Sequence, residues 1–452
     1  MRFKSTLILF IVFLGLGSYV YLAEYRGRDE REKKEQAAKK VFQIEEKDVK
    51  EITLIYPDRT IAAVKKGEKQ WEMTSPAGVE ADPDEWDRLA SNIAGVEKES
   101  TVASENADLA QFGLDKPSVT VRAKLADGRD IGLLFGAENP KKTFNYVKLD
   151  SSSEVFLSPS SWSGFFKKSV ADMRNKKLLN FETENIDAIR IADAKGGEIA
   201  LQKSGTEWML KKPIEGRADD GEASSFLSSI SFARAADFAD SVDAKTSGLD
   251  APSIRITLHD SKAGADRTLL IGKAKETDKY YAKDASRPAI FVIEKEIPEK
   301  ARRPLFDWRD KTIAKVASDK VDEIEVIRGA EKFSAKKTGE EWKLPDGRKL
   351  QGHRISSMIS SLDFERARQI IDAPKALSAY GLDKPKMEVF FREAGKEVLS
   401  LKFGGNSKDP EGVYLKTSTS PAVVVAASTV SDSFNVKAED LVESPPAGSS
   451  SK

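Results

Sequence analysis

The sequence predicts an α+β protein: three homologous antiparallel-sheet-plus-helix repeats of about 130 residues following one N-terminal transmembrane helix. Three observations lead there. Short motifs recur three times at one period, apolar residues alternate with period two along runs that follow one another without βαβ alternation, and a single uncharged apolar run opens the chain.

The repeats rest on arithmetic. Gly113, Gly248 and Gly381 stand 135 and 133 residues apart, and Trp71, Trp208 and Trp342 stand 137 and 134 apart. Gly136, Gly272 and Gly404 give 136 and 132; Tyr146, Tyr281 and Tyr414 give 135 and 133. Four markers in one order divide the body into units at 43–178, 179–313 and 314–443. Each is long enough to hold its own core, unlike a solenoid unit.

A chain of 452 residues exceeds one core, and 40% hydrophobic with 32% charged residues suits several solvated domains. Lys plus Arg (73) equals Asp plus Glu (73), so no global field draws nucleic acid. The absence of cysteine excludes disulfides, thiolate catalysis, thiolate metal sites and a lipidated N-terminal cysteine.

Residues 1–23 read as a membrane anchor. Thr6 to Ala23 is 18 residues without a charge, preceded by Arg2 and Lys4 and flanked by Tyr19, Tyr21 and Tyr25 at the interface. That arrangement puts the N-terminus inside and the body outside an inner membrane, as a single-pass protein. A cleaved signal remains the alternative, with small residues at Gly15 to Gly17. Residues 24–42 read as a charged helical stalk and 444–452 as a flexible tail.

Each unit opens with an alternating strand ("VKEITLIY", "IDAIRIAD", "VDEIEVIR"), then a second strand and the Trp-bearing strand. A helix follows, with apolar residues three and four apart: Trp86, Leu89 and Ile93; Phe226 and Ile230; Ile355, Met358, Ile359 and Leu362. A short helix, the phrase "FGLDKPS", "SGLDAPS" or "YGLDKPK", and four strands complete the unit. An amphipathic closing segment ends the first two, and the third is expected to have it shortened.

The phrase reads as helix stop, turn and strand start. Gly113, Gly248 and Gly381 supply the left-handed residue, and Leu114, Leu249 and Leu382 pack back on the helix. Asp115, Asp250 and Asp383 cap a turn, while Pro117, Pro252 and Pro385 launch the next strand. The three tryptophans read as core anchors, with a sugar-stacking platform as the alternative that requires exposure. His259 and His353 sit at unrelated places, and the acidic clusters at 81–87 and 218–222 precede helices they can cap. The chain lacks the signatures of a nucleophile elbow, zinc protease, P-loop or dinucleotide fold, and no catalytic, cofactor-binding or metal residue is assigned.

Taken together, an N-terminal apolar helix and units carrying E-W-x-[ML], G-L-D-x-P, [FI]-G and Y-[VLA]-K in order resemble the bacterial proteins grouped as "domain of unknown function 4340", over residues 43–443. The resemblance implies an accessory role in the envelope, beside export-type ABC transporter components, while the single anchor, the modular repeats and the missing catalytic signatures point to a non-enzymatic arm that binds or scaffolds partners. The expected partners are the membrane, through residues 6–23, and an envelope protein such as a transporter subunit. A glycan- or peptidoglycan-binding module and a carboxylate-based hydrolase stay open as alternatives.

Overall fold

The computed structural model describes residues 2–21, 37–104 and 108–443. The expected stalk lies outside them over 24–36, and so does the whole expected tail. A helix runs Arg2–Val20, about 28 Å at the usual rise per residue. Among the described residues no helix is long and apolar enough to cross a membrane. The apolar run expected to do so continues through Leu22 and Ala23, outside the described residues.

Each repeat builds one antiparallel sheet on a common plan. Across the first, the order is Ala77–Glu80, Gln70–Ser75, Thr60–Gly67, Val49–Ile55, Val119–Leu125, Asp130–Glu138, Phe144–Leu149, Val155–Pro159 and Ser100–Ala103. Two meanders thus meet at a seam where Val49–Ile55 pairs with Val119–Leu125. The seam recurs as Ile186–Asp193 on Ile254–Asp260 and as Glu323–Arg328 on Met387–Glu393. The third sheet has eight strands where the others have nine, lacking the strand after the Trp-bearing one.

Alternation explains the burial. Val49, Ile52 and Leu54 are inaccessible while their neighbours face solvent, and the helix Pro83–Gly95 covers that face with Trp86, Leu89, Ala90, Ile93 and Ala94. Asp220–Phe232 is the equivalent helix of the second repeat, and Gly352–Ser361 that of the third. The sequence does not reveal the strands Ser100–Ala103, Asp237–Phe238 and Gln369–Ile371, which pass to the far edge of each sheet. Two to four residues are too few to show a period.

The chain divides into two compact units. One comprises Met1–Leu178 with Arg234–Asp243 and Arg287–Ile293; the other comprises Leu179–Ala233, Ala244–Ser286 and Glu294–Lys452. The three repeats therefore do not separate as three compact bodies.

The third repeat is not shortened at its close, contrary to expectation. Short helices Ser428–Phe434 and Ala438–Leu441 stand where Ser160–Phe165 and Val170–Met173 close the first repeat and Glu296–Ala301 and Leu305–Trp308 the second. From Gly381 to Leu441 is 60 residues, as from Gly113 to Met173 and from Gly248 to Trp308. The serine-rich segment lacks an amphipathic pattern, but Val430, Phe434 and Leu441 suffice to bury it.

The recurrent phrase ends a short helix in each repeat. Gly113, Gly248 and Gly381 have φ of +64°, +72° and +66°, and Leu114, Leu249 and Leu382 are buried. The aspartates depart from expectation. Asp250 accepts from the Ala251 amide at 3.0 Å, whereas Asp115 and Asp383 are exposed and cap nothing among the described residues. Pro117, Pro252 and Pro385 lie two residues before their strands rather than at the first position.

Gly136, Gly272 and Gly404 belong to the same construction. A Cβ on each would lie 2.3, 2.2 and 2.2 Å from the carbonyl oxygens of Phe112, Ser247 and Tyr380, the residues before the left-handed glycines. Tyr146 and Tyr414 complete it, with rings 4.9 and 5.0 Å from those of Phe112 and Tyr380. In the second repeat Ser247 stands where those aromatics do, so Tyr281 has no such ring beside it there. A strand thus passes directly under the end of a helix, which only glycine permits.

Gly404→Ala is expected to cost about 2 to 4 kcal/mol in urea unfolding followed by tryptophan fluorescence, because backbone must move. Gly164→Ala, in a helix with open space around it, is the matched control and should be neutral or slightly stabilising.

Candidate functional site

The tryptophans point inward. Trp71, Trp208 and Trp342 are 6%, 2% and 3% exposed, so they cannot serve as sugar-stacking platforms. Trp71 stacks on Trp86 at 5.7 Å, and its Nε1 donates to Asp87 Oδ1 (2.8 Å), which also accepts from Lys65 (2.7 Å). The acidic clusters cap helices as read: Asp82 accepts from the amides of Asp84 and Glu85, and Asp219 from Glu222. His353 is exposed near the start of its helix. His259 pairs across strands with Asp266 at 2.9 Å, and this hydrogen bond raises its pKa.

The most elaborate polar construction lies where a repeat closes. In the first unit, residues 173–177 are hydrogen-bonded on two sides. The Asp82 and Asn175 amides donate to Met173 O and Glu80 O, while the Ala235 amide donates to Lys176 O at 2.7 Å. Bridges Ala81 to Arg174 and Lys177 to Arg234 complete the lacing. The second unit repeats it: Asp219 donates to Trp308 O, Asp310 to Arg217 O, and Ala367 to Lys311 O.

Side chains fasten each joint. Arg174, 6% exposed, donates twice to Asp240 (2.5 and 2.9 Å) and lies 3.7 Å over the Phe238 ring. Arg287 donates to Lys177 O (2.7 Å) and Asn175 O (3.0 Å), with its Nε 2.6 Å from Glu80. At the second joint Arg309 donates to both oxygens of Asp372 at 2.7 Å. Lys311 reaches Asp219 at 3.3 Å, and Arg217 pairs with Asp310 at 3.2 Å. Burial pushes the Asp310 carboxyl up, but hydrogen bonds from Thr312 and the charges of Lys315 and Arg217 outweigh it and hold it below its ordinary range.

Beside the first joint, within the first unit, is a cleft of about 450 Å³. Val79, Val242, Pro288 and Ile290 give it apolar walls, and Arg174, Asp240, Arg287 and Glu80 give it polar ones. Each guanidinium already faces a carboxylate. The arrangement is suited to holding backbone and to meeting a polypeptide of mixed polarity; it positions no hydroxyl or imidazole against a base.

Of the side chains at the joints, sequence reasoning singles out only Asp219, within the acidic cluster at 218–222, and only as a cap. A signal exists: Arg174 and Arg309 stand 135 apart, and Asp240 and Asp372 stand 132 apart, matching the repeat. Charged residues are so frequent here that only the pairing in space makes those coincidences meaningful.

A family model described as "Domain of unknown function (DUF4340)" matches residues 71–252, 243–372 and 345–447. No curated protein matches the chain. Among solved structures, that of a DnaN sliding clamp (DNA polymerase III subunit beta) from Pseudomonas aeruginosa bound to griselimycin aligns over 84% of this chain and 90% of its own, at 7% identity and a TM-score of 0.13.

Asp240→Ala strips a buried guanidinium of its counter-ion and should destabilise by about 2 kcal/mol, more than Arg174→Met, which leaves only an exposed carboxylate; equilibrium unfolding ranks the two. For Asp310, a pKa held below its unfolded value means that its contribution is present above the unfolded pKa and lost as pH falls through the folded one. Stability should therefore drop below about pH 4 with a share that Asp310→Asn removes, measured by unfolding across pH.

Proposed function

Because the chain belongs to the DUF4340 family, whose model reaches from its first repeat through its third, we propose that it is a non-enzymatic scaffold of the cell envelope, attached to the inner membrane by its N-terminal helix and offering its repeats to a protein partner. The observation that carries this reading is the helix Arg2–Val20. Its residues Phe10, Ile11, Val12, Phe13 and Leu14 are consecutive and so, at 100° per residue, point in every direction, yet each is at least 54% exposed. Leu16 and Tyr19 are equally bare. A helix apolar all round is unfavourable in water and favourable in lipid.

Arg2 and Lys4 at its start support a topology with the N-terminus in the cytoplasm and the repeats outside the inner membrane. The joints support scaffolding: they spend their buried arginines on backbone and carboxylates of the same chain, tying one repeat's close to the next repeat's edge strand within each unit. The resemblance to proteins found beside export-type ABC transporter components makes a transporter subunit the partner to seek.

The test compares the full chain with a variant lacking residues 1–23 and exported by a cleavable signal. The full chain should stay with membranes through alkaline carbonate washing and crosslink to a transporter subunit, while the variant is released and loses that crosslink. Release of the full chain, or recovery of no envelope protein above background, refutes the proposal.

A further inference from the structure

Three repeats on one backbone plan show each place in the fold with three sets of side chains. Strand register identifies the equivalents. Met387 pairs with Phe403 as Val119 does with Phe135 and Ile254 with Ile271. Asn406 pairs with Val413 as Glu138 does with Asn145 and Ala274 with Tyr280.

In the second repeat the space beside this strand pair is filled from within. Arg302, from the close of that repeat, lies 5.4 Å over the Tyr280 ring and reaches the Ser253 hydroxyl at 3.5 Å. In the first repeat the same position holds Asn145, buried and donating to Gly136 O at 3.3 Å. In the third, valine stands at the ring position and Asn435 at the guanidinium position. Both are shorter, and a cavity of about 380 Å³ opens within the second unit, walled by Met387, Phe403 and Val413.

Two cations peculiar to this repeat line it. Lys386 replaces the serines Ser118 and Ser253, and Arg328 replaces Tyr56 and Asp193. Arg328 is held in place by donating to Asn435 Oδ1 (2.7 Å) and Val436 O (2.9 Å) and by pairing with the exposed Glu331 at 3.6 Å, and Lys386 donates to Asn406 Oδ1 (3.3 Å). Asp432 is the one carboxylate among the lining residues, and Lys386 makes no ion pair among the described residues.

We propose that this cavity binds a small organic carboxylate, whose flat apolar body takes the place of the Tyr280 ring and whose carboxylate meets Lys386 and Arg328. The volume falls within the range of ligand sites. Lys386, the lining cation without a carboxylate partner among the described residues, suits a monoanion, and Asp432 opposes a dianion. In the second repeat Tyr280 and Arg302 occupy the place, and in the first Tyr56 and Ser118 stand where the third repeat has its two cations.

Benzoate is the probe, with benzyl alcohol as its uncharged counterpart, and ligand-observed saturation-transfer NMR on the full chain is the readout. Benzoate should bind with a Kd of roughly 1 mM, the strength expected of so small a ligand, and benzyl alcohol at least tenfold more weakly. The double change Val413→Tyr with Asn435→Arg, which restores the second repeat's filling, should abolish the signal. Lys386→Gln, at an exposed position, should remove the preference for benzoate without lowering the melting temperature, so the proposal does not depend on the double variant folding. No saturation of the wild type by about 10 mM benzoate, equal binding of the alcohol, or undiminished binding by Lys386→Gln overturns it.

Discussion

The closing segments of the first and second repeats are hydrogen-bonded along two edges at once, and the arrangement of the joints follows from that. Residues 173–177 hold the start of their own repeat's long helix on one side and, on the other, residues 234–235, which lead into the edge strand Asp237–Phe238. A backbone committed on both sides cannot shift without losing several hydrogen bonds together. The pattern recurs at 308–312, and residues 39–41 pair in the same way with 96–98 at the entrance to the first repeat. The chain enters its first sheet through the contact it later uses to leave the first and the second.

Chemistry at the joints follows from the need to fasten main chain. Arg287 gives two donors to carbonyls, a task suited to a planar fork and poorly met by an ammonium group. Arg174 and Arg309 engage their aspartates through both terminal nitrogens or both oxygens, fixing direction as well as charge. The entrance has neither pair: Ala37 and Ala103 occupy the corresponding positions, and Lys39 with Glu99 forms an exposed bridge there instead. Fastening is strongest between repeats and weakest where the apolar N-terminal helix leads in.

Repetition also separates structural from variable positions. The glycines under the helix ends, the buried tryptophans and the left-handed turns recur because backbone geometry demands them in every copy. The aspartates of the recurrent phrase show that recurrence alone is not a role, since only Asp250 caps an amide. The cavity beside Val413 shows the converse, a place where one copy departs from its siblings in both size and charge.

Much of the fold was legible from local pattern. Period-two strands, the spacing of Trp86, Leu89 and Ile93, and four markers at one interval depend on near neighbours along the chain, and the sequence alone determined them: a threefold α+β plan, its core and its helix stops. What only the tertiary structure decided depends on residues distant in sequence. Arg174 meets Asp240 across 66 positions, Gly136 lies under Phe112 O, a polar closing segment is buried by three side chains, and short strands cross to a far edge. Such contacts leave no periodic trace, because their energy comes from desolvated pairing and close approach in space, not from the order of residues along an element.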